Sequence, residues 1–224
     1  DYPVARLGPQ DAGKRHSTQD SLATTGVHIG GTDFDHKLNV AEVQPLLGLG
    51  HHGPSGREVP SRVFYDLSTW HLIQWLYTAK ALREAEALRS DYSDRHLHAR
   101  LMRVLEEQAG HRLADAVEQG KITASSTAAV APLDLGWVVS GLAAQNTPEG
   151  LEQHLQALLA EVVKCAQECV NKAGLRKEQI TALYLTGGSS ALQTLRDALK
   201  LAFPTTPQVA GDLFGGVAAG LAYA

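Results

Sequence analysis

The spacing of apolar residues changes several times along this chain, and each change marks an element. Ala182-Leu183-Tyr184-Leu185 is a short continuous apolar run. Past Gly187-Gly188, leucines recur at Leu192, Leu195 and Leu199, the three-and-four spacing of an amphipathic helix. The predicted order is strand, glycine turn, helix, and Ser190 with Gln193 fits a capping box at the helix start. The same order occurs earlier. Val27 to Ile29 reads as a short strand, Gly30-Gly31 as the turn, and Thr32 as the N-cap of a helix with acidic residues in its first turn, Asp35 among them.

The remaining pattern alternates helix and strand. The opening run to Gly8-Pro9 predicts a strand ending in a turn, and the polar residues after it a loop or hairpin tip. "LLGLGHHGPSGREVPS" is rich in Gly and Pro and predicts a surface loop, with His51-His52 solvated within it. A long helical region then starts at a Ser68 or Thr69 cap, breaks near Asp91 to Asp94, and continues to "ITASS". Two apolar runs around a Leu-Gly turn predict a strand pair between Thr127 and Asn146. Thr147 as cap and Pro148 at the first helical position open a helix that Gly174 closes. A last small-residue helix is predicted in "GDLFGGVAAGLAYA".

Composition narrows the class. Of 224 residues 44% are apolar and 20% charged, the balance of a globular protein, and the net charge of -4 comes with no basic stripe. A dedicated nucleic-acid binder is therefore not expected. No apolar run is long enough to span a bilayer and no signal-peptide layout opens the chain, so no membrane partner is expected. Cys165 and Cys169 lie one helical turn apart, which predicts packing rather than a disulfide framework and points to a reducing cytoplasm. The chain opens on Asp1, and its one methionine is Met102; this predicts a piece excised from a longer protein.

Three constellations carry candidate chemistry. A glycine turn between strand and helix lets backbone approach a ligand, and a helix start offers unpaired N–H groups to phosphate oxygens. Gly187-Gly188-Ser189 and Gly30-Gly31 both have this form, though neither has a Walker lysine or a three-glycine dinucleotide pattern. In "EQGKITASS", Glu118, Lys121 and Ser125 fall at i, i+3 and i+7. One reading is an exposed Glu–Lys pair with a serine near the helix end. The other is a polar clamp: carboxylate on ribose hydroxyls, lysine stem along a purine face, hydroxyl on the base edge.

Taken in order, "IGGTDFDHKLN", "EQGKITASS" and "LYLTGGSSALQTLRDAL" resemble the nucleotide-binding domain of the seventy-kilodalton heat-shock chaperones, in the actin and sugar-kinase ATPase superfamily. The first is similar to the family's Gly-Gly-acidic-Asp-Phe-Asp turn. The second is similar to its Glu-x-x-Lys-x-x-x-Ser adenosine helix, and the third to its Gly-Gly-Ser adenosine turn. The resemblance runs from about Val27 to the C-terminus, with a looser middle. It departs at Ala191, where the family has an arginine stacked on adenine; the long Gly/Pro loop and the Trp70–Trp75 segment also mark a divergent, bacterial-type branch.

The resemblance implies an α/β fold: the second lobe of the nucleotide-binding domain, a ribonuclease-H-like, actin-like ATPase core half with an inserted helical and stranded subdomain. Residues 1–29 and 148–224 would form the core piece and 30–147 the insertion. Gly31, Gly187 and Gly188 would face phosphates or ribose through their backbone. Glu118, Lys121, Ser125 and Ser189 would hold the adenosine, and Asp212 would match the family's acidic residue near the last helix. The implied cofactor is ATP or ADP with Mg, and the implied partners, through regions beyond this chain, are client polypeptides and co-chaperones. Hydrolysis would belong to the full-length parent, because phosphoryl transfer needs both lobes. Two alternatives are a non-catalytic interaction module that keeps the fold, and a sugar-kinase-like relative.

Overall fold

Strand-forming and helix-forming segments sort into two compact units, one comprising Asp1–Gly31 with Gln156–Ala224 and the other Thr32–Leu155. The computed structural model describes residues 1–6 and 21–211.

In the first unit, β1 (Tyr2–Ala5) pairs antiparallel with β2 (Ser21–Thr25), Tyr2 opposite Thr25. The helix α6 (Pro148–Lys172) supplies this unit with Leu159, Val162, Ala166 and Cys169, a buried stripe at helical spacing. Both cysteines contact the strand pair, and the Cys165 Sγ donates to Thr25 Oγ1 at 3.4 Å. Cys169 Sγ donates to the Tyr2 carbonyl at 2.7 Å, and Thr25 Oγ1 donates to the Cys165 carbonyl at 3.1 Å. The helix closes as predicted at Gly174, whose φ of 70° is the left-handed conformation glycine adopts without a Cβ penalty.

Beyond it, β5 (Leu183–Leu185) pairs in parallel with β6 (Gln208–Ala210), and α7 (Gln193–Ala202) forms the crossover that a parallel pair needs. Leu192, Leu195, Leu199 and Phe203 are the buried side of that crossover.

In the second unit, α1 (Gly31–Leu38) leads through a π-helical turn at Asn39–Val43 and a 3-10 turn at Gln44–Leu47. Three helices follow: α2 (Arg62–Ser68), α3 (Ala79–Ala87) and α4 (Arg95–Glu106). Then come α5 (Gly110–Thr127) and an antiparallel pair, β3 (Ala131–Asp134) with β4 (Ala143–Asn146). Alternation along β3 and β4 turns Ala131, Leu133, Ala144 and Asn146 inward. Phe34, Phe64, Leu67, Leu101, Leu105 and Leu113 are fully buried and form the core. Gly120 lets α5 lie close to the strand pair. A Cβ there would come within 2.8 Å of the Asn146 amide nitrogen, which donates to the Val117 carbonyl.

Several local expectations need correction. Residues 27–29 are not a strand; the strand of that segment is β2, four to six residues earlier. Thr32 lies inside α1, which begins at Gly31. Ser68 and Thr69 end a helix rather than start one. Their hydroxyls donate back to the carbonyls of Phe64 and Tyr65, both at 2.8 Å, and compete with the next helical turn. The cap of the following helix is Thr78, whose hydroxyl accepts from the Ala81 N–H. A further break lies between α4 and α5, where Gln108 has a φ of 52°. The Ser190–Gln193 capping box does not form, because residues 188–191 make a 3-10 turn. There the Ser190 hydroxyl donates back to the Gly187 carbonyl at 2.7 Å. His51 is anchored rather than solvated: its Nε2 accepts from the backbone N–H groups of Ser93 and Asp94, each at 3.2 Å. The predicted C-terminal helix lies outside the described residues past Gly211.

Candidate functional site

The helix α5 carries the polar trio, and its neighbours decide where each member points. Lys121 turns inward. Its Nζ lies 2.7 Å from Asp35 Oδ1 on α1, and the two side chains keep only 10% and 19% of their exposure. Glu118 is exposed and Ser125 is half-buried. Between them, at i+4 from Glu118 and i−3 from Ser125, stands Ile122, 48% exposed. The surface face of α5 is thus Glu118–Ile122–Ser125, with Lys121 rotated towards the interior. The exposed Glu–Lys pair considered from sequence is replaced by a largely buried Lys–Asp pair.

That pair has a definite electrostatic character. Burial pushes the Asp35 carboxyl above the usual carboxylate range. The hydrogen bond and charge of Lys121 pull it back, and the nearby Glu118 charge adds to the rise, so the net direction is upward. Asp35 is held in place by a cation while paying for its desolvation.

The glycine turn of the other unit follows β5 directly. In parallel α/β arrangements the carboxyl ends of strands are where ligands bind. Gly187 has φ 83° and ψ 154°, a conformation open to glycine and strained for other residues. Among the described residues no heavy atom lies within 4 Å of where its Cβ would be. Gly187 and Gly188 are exposed and Ser189 is half-buried. The turn is braced from behind: Arg196 Nε donates to the Ser190 carbonyl and Gln208 Nε2 to the Arg196 carbonyl, both at 2.7 Å. Gly31, the first residue of α1, is half-buried. Asp212 lies outside the described residues.

Chemically, α5 offers an acceptor-only carboxylate, an aliphatic surface and a hydroxyl, a set that suits a sugar bearing hydroxyls and a flat base. The glycine turn offers backbone groups. Among the described residues no three His, Cys, Asp or Glu side chains are grouped to hold a metal ion. No helix of the described residues is long and apolar enough to cross a membrane.

Two residues of this region carry little signal in the sequence alone. Asp35 was visible only as one acid in a helix's first turn; the signal for its role was the presence of a lysine that helical periodicity places at the edge of the buried stripe. Ile122 gives no distinct signal in the sequence, being one apolar residue amid polar ones.

Comparison with known proteins converges on one family. The family model described as "Hsp70 protein" matches residues 97–223, which take in α5, the strand pair, α6 and the glycine turn. "Chaperone protein HscA" of Salmonella newport is 25% identical over 213 residues. The proteins of that name from Pectobacterium atrosepticum and Yersinia enterocolitica are 25% identical over 222 and 218 residues. In each case 90% of this chain is covered, against 33% of the relative, so the chain spans about a third of the length of these proteins.

Proposed function

The chain belongs to the Hsp70 family, and from that premise we propose that it is the adenosine-holding lobe of an ATP-driven chaperone. Glu118 accepts hydrogen bonds from ribose hydroxyls, while Ser125 and Ser189 bond the adenosine. On the same reading the backbone at Gly187, Gly188 and Gly31 would meet ribose and phosphates, and Asp212, outside the described residues, would match the family's acidic residue. Lys121 contributes by fixing α5 rather than by offering its ammonium. Magnesium arrives with the nucleotide, where it neutralises phosphate charge. The opposing lobe, which lies beyond these residues, supplies the groups that position the attacking water.

The frame proposed for this site is a ribonuclease-H-like core, residues 1–29 and 148–224, with 30–147 inserted. The parallel β5–α7–β6 unit and the β1–β2 pair, both in the unit of 1–31 and 156–224, support that frame. Nucleotide-driven lobe closure in the full-length protein would be coupled to client polypeptides and co-chaperones, in the cytoplasm.

The observation that carries this reading is the exposed Glu118 on a helix pinned by the Lys121–Asp35 pair. A carboxylate that accepts sugar hydroxyls contributes about 1.5–3 kcal/mol. Glu118→Gln in the full-length protein is therefore expected to weaken ADP binding about 10- to 100-fold in a calorimetric titration, without lowering the melting temperature. Unchanged affinity would remove Glu118 from the site.

Ala191, exposed where the resemblance implies a stacking arginine, favours a second reading: an interaction module that keeps the fold and no longer uses nucleotide. Absence of any ATP-dependent thermal shift in the full-length protein would support it over the first.

A further inference from the structure

We propose that the outer face of α4 is a self-complementary surface on which a second copy of this chain docks, the two helices antiparallel about a twofold axis. The inference does not depend on nucleotide use.

Arg95, Ala99, Met102 and Glu106 recur at i, i+4, i+7 and i+11, so they share one face of α4. That face lines an open groove of about 780 Å³, with Glu86 of α3 and Arg89 of the 3-10 turn at Leu88–Asp91 beside it. Some charges in the groove are already answered. Glu86 lies 3.7 Å from Arg89, and Arg103 lies 2.9 Å from Glu107. Arg95 and Glu106 are both exposed, and among the described residues neither has an ion-pair partner.

Their placement is also locally unfavourable. Arg95 is the first residue of α4 and Glu106 the last. A helix dipole favours anions at its start and cations at its end, so each charge stands where its sign is disfavoured. An antiparallel copy answers both. Read backwards across a twofold axis, the same four positions set Arg95 opposite the second copy's Glu106, and Glu106 opposite its Arg95. Ala99 then faces Met102 at the centre, a small side chain against a large one. Every contact occurs twice, the condition for a closed pair rather than an open filament. The two charges lie about 16 Å apart along the axis, so a slip of one turn separates both pairs. Parallel docking sets like charge on like charge. Met102 is nearly buried and Ala99 exposed, so the apolar centre is small and the pair is a transient one.

The test is sedimentation velocity on the full-length protein between about 1 and 200 µM. It is repeated on Arg95→Glu, on Glu106→Arg, on the double variant, and on an equimolar mixture of the two single variants. Melting by circular dichroism checks that each variant folds as the parent does. The parent is expected to pair with a dissociation constant on the order of 10–100 µM. Each single reversal puts like charge on like charge at two symmetric places and is expected to weaken pairing about 10-fold or more. The double variant swaps both signs and is expected to return to within about 3-fold of the parent. The mixture is expected to do the same, because its unlike chains match each other. A parent that stays monomeric to about 200 µM overturns the inference. So does a single reversal that pairs as the parent does, or a double variant or mixture as weak as the single variants.

Discussion

Lys121 and Asp35 allow an unusually direct test of how a largely buried ion pair behaves. At 2.7 Å the attraction is about 6 kcal/mol in an effective dielectric of about 20. Desolvating each ion costs several kcal/mol, so the net value of the pair is small while the cost of breaking it is not. Lys121→Met keeps the stem and removes the charge, leaving Asp35 with burial and the nearby Glu118 charge. We expect a loss of about 3 kcal/mol, or about 6–12 °C in melting temperature for a chain of this size. Asp35→Asn should cost less, about 1–2 kcal/mol, because burial already outweighs Lys121 at that carboxyl and a lysine stem can swing its ammonium to water. The double variant Asp35→Asn/Lys121→Met should melt within a few degrees of the parent.

The pH dependence has a fixed sign. A carboxyl whose folded pKa lies above its unfolded value binds its proton more tightly in the native state. It favours folding most at low pH, and that contribution is lost as pH rises through the raised value. Removing Lys121 raises that value further, so the deficit of Lys121→Met should shrink between pH 7 and pH 5. Melting curves by circular dichroism at both pH values decide the matter. A double variant as unstable as Lys121→Met, or a deficit equal at the two pH values, would refute the reasoning.

Gly187→Ala places a Cβ on a backbone at φ 83°, and although no described residue lies within 4 Å of it the strain should cost about 1–3 kcal/mol. Lower melting temperature with weakened ADP binding is expected, and an unchanged thermal profile would show that the turn relaxes. His51→Ala removes the acceptor shared by the Ser93 and Asp94 N–H groups at the start of α4. A loss of about 1–2 kcal/mol and faster proteolysis within residues 48–60 are expected, measured by melting and by limited digestion.

Much of the strand and helix order was legible because its signals are local. Thr147-Pro148 and Gly174 mark the ends of α6 within a residue or two, and alternation around the turn gives the β3–β4 pair. The Trp70–Trp75 region was not legible: apolar spacing there suits a helix, but two hydroxyls bonded to carbonyls four residues back end α2 at Ser68. β6 has one large apolar residue, Val209, in three, too little to register as a strand without its partner β5. The glycine turn and the trio on α5 could be found by type and spacing. That Lys121 points inward could not, because helical periodicity puts it at the boundary of the buried stripe and only Asp35, distant in sequence, settles the direction.

The division of labour on α5 has an evolutionary consequence. Position 121 answers to the interior, whereas 118, one turn earlier, and 122, the adjacent residue, answer to the solvent. A lineage can therefore change the chemistry of those outer positions without renegotiating the architecture beneath.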